Sequence, residues 1–196
     1  MIRPSVIGHS SVDGRGCVLD RLRCLVAVAL SVAALSGCAT TGGGDHGAVA
    51  ASDAEAELRT RPSFEEARQQ YRAAIEGWAA QIASMSPELT WHVKEDSWGG
   101  CSGDYVDTAG VHTYAYVVFS APIADEIWPS ALDVVRHGAA QLGAANVTTP
   151  VDRPGDHHVV FSGNDGVTVE FGTNAAGVLS ARSDCRLRRA DMPPGS

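Results

Sequence analysis

The sequence predicts an α+β domain, a two-layer sandwich in which an antiparallel sheet of about six strands carries two helices on one face. Two observations lead to this fold class. Two segments repeat apolar residues at helical spacing, and short runs rich in β-branched or aromatic residues lie between and after them, separated by glycine-containing turns. The expected order is α-β-β-α-β-β-β-β, in a single domain over residues 61–187.

A capping box predicts the start of the first helix. Ser63 is followed three residues later by Glu66, a pair in which each side chain accepts a hydrogen bond from the other residue's backbone N–H. An apolar stripe then continues for about 21 residues, and Pro87 ends the helix because it has no backbone N–H to donate. The stripe consists of Phe64, Ala67, Tyr71, Ile75, Trp78, Ile82 and Met85.

Two strands with different surroundings are expected next. Residues 89–93 alternate apolar and polar side chains, which is typical of a half-buried strand. Residues 111–119 carry β-branched and aromatic side chains on both faces, as a central strand does. The loop between the two strands is rich in glycine and contains Cys101.

The second helix is predicted from a shorter apolar stripe. Its members are Ile127, Ala131, Val135, Gly138 and Leu142. Asp125 is the expected N-cap, and Pro129 is tolerated because it falls in the first turn. Gly143 is the expected C-terminal stop.

Four short strands are predicted after the second helix, at residues 147–151, 158–161, 167–171 and 178–181. The turns between them contain glycine with asparagine or proline, which favours tight hairpins. In the first of these turns we expect Gly155 to have a positive φ angle. We also expect Arg153 to form an ion pair with Asp152 or Asp156.

The N-terminal region has the layout of a bacterial lipoprotein signal. Residues 25–35 form an apolar run, roughly half the length that a membrane-spanning helix needs, and arginines precede it. Leu35-Ser36-Gly37-Cys38 then resembles a lipobox, in which the cysteine thiol receives a diacylglycerol and the chain is cut before that cysteine. We interpret residues 1–37 as an N-terminal extension and signal peptide that is removed, and residues 38–60 as the lipidated Cys38 with a flexible tether.

The acidic balance of the chain excludes one class of partner. There are 15 Lys and Arg against 23 Asp and Glu, a formal net charge of −8. Nucleic acid and anionic lipid headgroups repel such a domain. We therefore expect membrane contact only through lipid on Cys38, at the extracytoplasmic face of the cell membrane. The expected partner is an unidentified envelope component, and no nucleic acid.

The five cysteines divide by position. Cys17 and Cys24 are lost with the signal peptide, and Cys38 carries lipid. In an oxidising envelope the remaining two, Cys101 and Cys185, are expected to form a disulfide. The alternative makes Cys101 a nucleophile on a glycine-rich turn, which requires a free thiol and an activating histidine.

The segment Asp152-Arg153-Pro154-Gly155-Asp156-His157-His158 is the strongest candidate for a site. Its side chains include metal-ligand types, but adjacent strand residues point to opposite faces, so His157 and His158 would not share one metal. His92 and His112 would add ligands only if their strands were neighbours. The sequence contains no nucleotide-binding glycine loop, serine-nucleophile motif or HExxH motif. We interpret the segment as a hairpin turn and expect no catalytic residue, metal or cofactor, and no enzyme activity.

Several motifs together resemble the LppA-like lipoproteins of mycobacteria and related actinobacteria. They are the lipobox at Cys38, Arg61-Pro62-Ser63-Phe64-Glu65-Glu66, Trp91, Gly100-Cys101, Trp128-Pro129, Val151-Asp152-Arg153-Pro154-Gly155-Asp156-His157 and Cys185. The resemblance implies a cell-envelope lipoprotein of uncharacterised activity. The long N-terminal extension and the arginines Arg186, Arg188 and Arg189 fall outside the resemblance. We expect residues 188–196 to be a disordered tail.

Three functional hypotheses follow from the sequence. The first is a non-catalytic binding or scaffolding module of the envelope, because no reaction motif is present. The second is a carrier of a small or lipidic ligand, suggested by the tryptophans and the aromatic strand. The third is a metal-dependent enzyme that uses His157 or His158.

Overall fold

One antiparallel sheet organises the computed structural model, which describes residues 46–194 and the side chains from Ala51 onward. In chain order the elements are α1 (His46–Leu58), α2 (Phe64–Ala83), β1 (Trp91–Gly100), β2 (Val111–Phe119), α3 (Trp128–Gln141), β3 (Asn146–Arg153), β4 (Asp156–Ser162), β5 (Thr168–Thr173) and β6 (Gly177–Arg182). Short 3-10 turns lie at Gly103–Tyr105 and Arg189–Asp191. The six strands lie in the order β1-β2-β6-β5-β4-β3, each antiparallel to its neighbours.

The helices α2 and α3 cover one face of this sheet. Along β2 the odd-numbered residues from Val111 to Phe119 are buried, whereas the even-numbered residues between them are partly exposed. The apolar sides of both helices pack on the buried side, where Ile75, Ile82 and Val135 are fully buried. The α+β sandwich with two helices on one face is therefore confirmed.

The opposite side of the sheet, which we call the open face, remains accessible to solvent. It is formed by the even-numbered residues of β2 and the residues that pair in register with them across β1, β6, β5 and β4. Tyr114 and Tyr116 stack on it with ring centroids 6.4 Å apart. Arg182 and Glu170 lie on the same face. Polar and aromatic side chains thus mix on a surface that the helices leave uncovered.

The N-terminal ends of α2 and α3 give different outcomes for the predicted helix caps. The capping box of α2 is confirmed, because the Ser63 N–H donates to Glu66 Oε2 at 2.9 Å and the Glu66 N–H donates to Ser63 Oγ. Asp125 as the N-cap of the next helix is wrong. Helix α3 begins at Trp128, after Ile127, and no side chain caps it. The Asp125 carboxylate accepts from a different backbone N–H instead, as described below.

The close approach of α2 and α3 depends on a glycine. A Cβ atom added at Gly138 would lie only 2.1 Å from the Trp78 ring. Glycine inside a helix costs about 1 kcal/mol relative to alanine, but here it leaves the space in which the indole lies against α3. The cost in helix propensity is offset by the packing of the two helices.

The predicted tether is partly helical. Residues 46–58 form α1, whereas the sequence analysis assigned the whole of 38–60 to a flexible segment. The reason is the combination of alanine, the best helix former, with an apolar end. Leu58 is fully buried against Cys185 and Leu187, so the end of α1 is part of the folded domain.

The predicted disordered tail is also ordered over much of its length. Arg188 lies over the Trp98 ring, 4.2 Å from its centroid, and the Arg189 N–H donates to Glu65 Oε2 at 2.9 Å. These contacts tie the segment after β6 to the start of α2 and to β1. The assignment of residues 188–194 to a disordered tail is therefore wrong, and residues 195–196 lie outside the described part.

The predicted signal peptide and the lipid attachment site at Cys38 lie outside the described residues. Among residues 46–194, none of the helices is long and apolar enough to cross a membrane.

Candidate functional site

The segment that the sequence singled out forms the tight turn between β3 and β4. Gly155 has φ of 72°, in the left-handed region, as predicted. The Arg153 Nε–H donates to Asp156 Oδ2 at 2.9 Å, which makes Asp156 the partner of the predicted ion pair. The interpretation of this segment as a hairpin turn is confirmed.

Two carboxylates hold the ring of His157. Its Nδ1 lies 2.8 Å from Asp152 Oδ1, and its Nε2 lies 3.1 Å from Asp125 Oδ1. The side chain is only 10% exposed. Both ring nitrogens donate in the imidazolium form, whereas the neutral ring has one N–H. The two carboxylates therefore fix the orientation of the ring.

The same ring is the outer layer of an aromatic stack. The Trp128 ring lies between those of His157 and Phe171, with centroid distances of 4.6 Å on each side and interplanar angles of 13° and 6°. Phe171 is fully buried in β5. The stack thus connects the β3–β4 hairpin, the start of α3 and the core of the sheet. We call Asp125, Trp128, Asp152, Gly155 and His157 the hairpin cluster.

Asp125, in the segment before α3, contacts both the backbone and the histidine of the β3–β4 hairpin. Its Oδ1 accepts a hydrogen bond from the Gly155 N–H at 2.9 Å. This hydrogen bond, and after it the one with His157, holds the pKa of the Asp125 carboxyl below its ordinary value. The carboxylate that the sequence analysis placed at a helix cap therefore anchors the hairpin.

A metal site that uses both candidate histidines is excluded by geometry. His157 lies on the helix-covered side of the sheet, against Trp128. His158 lies on the open face, where its Nε2 is 3.1 Å from Glu170 Oε2. Within residues 46–194, His, Cys, Asp and Glu side chains form no group of three or more with metal-binding geometry.

His92 and His112 do lie on neighbouring strands, but they do not meet. His92 pairs with Val118 and His112 with Gly99, near opposite ends of the β1–β2 pair. The ring of His112 instead lies against Gly99 and against Arg182, whose Nη2–H donates to His112 Nδ1 at 3.5 Å. Burial, and after it the guanidinium charge, lowers the pKa of His112.

The predicted cysteine pair is at the other end of the domain. Cys101 and Cys185 form a disulfide with Cα atoms 5.9 Å apart and 84 residues apart in sequence. Cys185 is buried against Leu58 and Leu187. Because the two sulfurs are bonded to each other, neither offers the free thiolate that a cysteine nucleophile needs.

Arg61, which the sequence analysis did not consider as a site residue, is the hub of this end. Its guanidinium donates to Asp184 Oδ2 at 3.3 Å and to the Tyr105 hydroxyl at 2.8 Å. It also pairs with Glu57 and lies 3.6 Å from Asp165. The hydrogen bond from Arg61 lowers the pKa of Glu57. A signal was present in the sequence, since Arg61 opens the motif that carries the family resemblance.

Three of the solvent-open grooves in the described part of the chain lie on the two helices, on the open face and next to the disulfide. One of about 590 Å³ runs between α2 and α3 beside Trp78 and His137. One of about 410 Å³ lies on the open face beside Tyr114 and Arg182. A smaller one of about 230 Å³ lies next to the disulfide. Polar and apolar groups line all three.

Replacement of Gly155 tests the turn geometry. Gly155→Ala is expected to lower the free energy of unfolding by about 1 kcal/mol, because an L residue at this φ costs about 1–2 kcal/mol and the stiffer unfolded chain returns part of it. A Cβ atom at Gly155 meets no atom within 4 Å, so the cost is conformational. Gly77→Ala in α2, also without close neighbours, is the control and should gain about 0.5–1 kcal/mol. Urea unfolding that shows both variants stabilised would contradict the turn assignment.

The lowered pKa of Asp125 predicts acid sensitivity. A carboxyl whose pKa is lower in the folded state stabilises the fold above its unfolded pKa of about 4, and this contribution is lost as the pH falls through the folded pKa. Asp125→Asn should therefore show a smaller drop in Tm than wild type between about pH 5 and pH 3. Asp107→Asn, in an exposed loop, serves as the control and should follow the wild-type profile. Parallel profiles for Asp125→Asn and wild type would refute the role of this carboxylate.

Comparison with known proteins shows which family this sequence matches. The sequence matches the family model of LppA, described as a lipoprotein confined to pathogenic Mycobacterium, over residues 43–189. The crystal structure of the lipoprotein LppA from Mycobacterium tuberculosis is similar, with a TM-score of 0.61 and 18% identity over 76% of this chain and 95% of that chain. That likeness supports the fold.

A second solved structure is more distant. It is a DUF4853 family protein from Actinomyces odontolyticus, with a TM-score of 0.45 and 19% identity over 66% of this chain and 71% of that chain. No curated protein matches the sequence.

Proposed function

Because this chain belongs to the LppA family of lipoproteins, we propose that it is a cell-envelope lipoprotein whose domain is a non-catalytic binding or scaffolding module. Lipid on Cys38 holds it at the extracytoplasmic face of the membrane. The lipobox sequence at residues 35–38 and the family support this anchor. Two or more acyl chains on one cysteine give stable attachment, which a single chain does not.

The start of α1 sets how far the domain stands from the membrane. Seven residues lie between Cys38 and the first residue of α1, His46, so the two are eight residue steps apart. A chain of that length spans at most about 28 Å. The domain is therefore held much closer to the lipid surface than a flexible segment of residues 38–60 would allow, and its partners lie in the same layer of the envelope.

One observation carries the non-catalytic assignment. The side chains of types most often used in catalysis are engaged in structural contacts. His157 lies between two carboxylates, Arg61 lies among acidic side chains, and the two cysteines form a disulfide. A general base or nucleophile has to reach a substrate atom. Side chains that hold hairpins and chain ends together serve the fold, and the open face is left for binding.

The carrier hypothesis has less support. An apolar carrier needs an enclosed cavity of several hundred cubic ångströms lined mainly by apolar side chains. The groove on the open face is lined by hydroxyl and charged side chains together with Trp98 and Tyr114, and it is open to solvent. A mixed lining in an open groove suits a hydrophilic molecule or a protein surface better than a lipid tail, which needs an enclosed apolar cavity.

Metabolic labelling tests the anchor. Labelled palmitate should enter the wild-type protein, and Cys38→Ala should give an unlabelled protein that no longer partitions with membranes. Cys24→Ala, which changes a cysteine before the lipobox, is the matched control and should label like wild type. Equal labelling of Cys38→Ala and wild type would disprove attachment at Cys38.

Cross-linking in intact cells tests the binding role. Tyr116→Arg places a charge on the open face, and Ala140→Arg places the same charge on the exposed side of α3. We expect cross-linked complexes of wild type and Ala140→Arg, and a loss of most of these complexes in Tyr116→Arg. Absence of any complex in wild type, or equal complexes in all three proteins, argues against an open face that binds partners.

A further inference from the structure

The groove on the open face contains a cation that the fold does not neutralise. Arg182 on β6 lines this groove and also lines the smaller groove beside the disulfide. Within residues 46–194, no carboxylate lies within the 4.0 Å of an ion pair with Arg182, in a chain with net negative charge. Among the described residues its guanidinium donates to His112, a ring whose pKa is lowered by burial.

The guanidinium of Arg182 also has a hydrogen-bond donor that is buried and unsatisfied within the described residues. Its Nε is buried and has no hydrogen-bond partner among the described residues. Buried donors without a partner are rare in native proteins and recur at functional positions. The absence of a side chain at Gly99 leaves room for the His112 ring that Arg182 contacts. A Cβ at Gly99 would lie 2.9 Å from His112 Cε1 and displace that ring.

A negative group lies at the other side of the same groove. Glu170 on β5 pairs with Ser180, and Arg182 pairs with Thr168, so Glu170 and Arg182 are diagonal neighbours on adjacent strands. Diagonal positions are about 7–8 Å apart, within reach of long side chains of opposite charge. Nevertheless the two do not pair, and Glu170 contacts His158 instead. The groove thus presents a cation and an anion that are separate from each other.

Hydroxyl groups and a tyrosine ring complete the wall. Ser97, Thr168 and Ser180 line the groove, and Tyr114 on β2 lies beside Arg182, with which it pairs in register. The volume of about 410 Å³ is that of a small-molecule site. A cation and an anion on adjacent strands, with hydroxyl groups beside them, fix the orientation of a short polar ligand rather than of a lipid tail.

We propose that this groove binds a small zwitterion of the α-amino-acid type, with its carboxylate on Arg182 and its ammonium group on Glu170. Arginine is suited to the carboxylate because its planar fork donates two parallel hydrogen bonds. The hydroxyls accept or donate the remaining hydrogen bonds. This inference rests on the proposal that the domain is a binding module, and it assigns to that module a site and a ligand class.

Calorimetric titration of the full chain in detergent tests the site with three probes. L-alanine carries both charges, acetate carries only the carboxylate, and ethylamine carries only the ammonium group. We expect millimolar binding of L-alanine, at least tenfold tighter than that of acetate or ethylamine. Arg182→Gln and Glu170→Gln should each weaken L-alanine binding at least tenfold. Arg136→Gln, at an exposed arginine of α3 outside the groove, is the matched control and should bind like wild type.

Each remaining outcome counts against the proposal. No saturable binding of L-alanine by wild type overturns it, and so does acetate or ethylamine binding as tightly as L-alanine. Binding that survives Glu170→Gln places the ligand elsewhere. If thermal unfolding shows that Arg182→Gln does not fold, the Glu170→Gln variant still tests the site, because Glu170 is exposed and its replacement should leave the fold intact. Complex formation in cells is measured separately through Tyr116→Arg, so failure of this site is distinguishable from failure of the binding module.

Discussion

Replacement of both disulfide cysteines, Cys101→Ser together with Cys185→Ser, is expected to lower the free energy of unfolding by about 4–5 kcal/mol. The disulfide closes a loop across 84 residues, and in the chain-entropy model the loss comes mainly from the larger freedom of the unfolded chain. The buried position of Cys185 adds to the effect, because a serine hydroxyl there lacks the apolar contacts of the sulfur. Urea unfolding of both proteins under non-reducing conditions measures the difference.

Reduction supplies the control for this prediction. Wild type unfolded in the presence of a reductant should approach the double variant in stability, because the same loop is then open. Mass mapping without reductant should join the peptides that contain Cys101 and Cys185. Two thiols that react with an alkylating agent in the native protein, or a double variant as stable as wild type, would contradict the disulfide and restore Cys101 as a candidate nucleophile.

Local sequence patterns predicted most of the secondary structure because local rules determine it. The capping box at Ser63, the glycine with positive φ at residue 155 and the alternation along residues 111–119 each depend on a few neighbouring residues. The extra length of β1, which reaches Gly100, was not predicted. Its second half is polar and glycine-containing, and it is a strand because it pairs with β2.

Contacts between distant residues explain what the patterns missed. The tether was assigned to a flexible segment because its first large apolar residue is Leu58, yet that residue is buried against the last part of the chain. Asp125 precedes a helix and resembles a cap, yet its carboxylate binds a backbone N–H thirty residues later, at Gly155. In both cases tertiary contacts override a local preference.

The candidate site shows the same division. Opposite orientations of His157 and His158 follow from the pleat of a strand, and the sequence predicts them. The identity of their partners, Asp125 and Glu170, depends on strand order and on how the loop before α3 returns to the sheet. Arg182 is likewise one basic residue at the end of a short strand until the sheet places it beside His112.

The family motifs gain a physical meaning from these contacts. Trp128 and the turn from Asp152 to His157 meet in the hairpin cluster, and at the other end Arg61 donates to the backbone carbonyl of Cys185, which is bonded to Cys101. Both groups connect segments that are far apart in sequence. In this chain the motifs therefore hold distant segments of the fold together.

Truncation of the inner ring of the aromatic stack, Phe171→Ala, is expected to lower the free energy of unfolding by about 3–5 kcal/mol. The side chain is fully buried at the centre of the sheet, so its loss removes apolar burial and leaves a cavity beneath Trp128. Collapse around the site is limited, because Trp128 is held on its other side by His157 and its two carboxylates.

Two control variants separate burial from stacking in this prediction. Phe171→Leu keeps most of the apolar volume but removes the ring, and it should lose about 1–1.5 kcal/mol, the contribution of an aromatic pair with some repacking. Tyr116→Ala removes a partly exposed ring on the open face and should lose no more than about 1 kcal/mol. Hydrogen exchange at the Gly155 N–H should accelerate in Phe171→Ala and stay at the wild-type rate in Tyr116→Ala, because only the first loosens the stack that positions His157 and Asp125. Equal losses of stability in Phe171→Ala and Tyr116→Ala would show that the stack does not connect the hairpin cluster to the core.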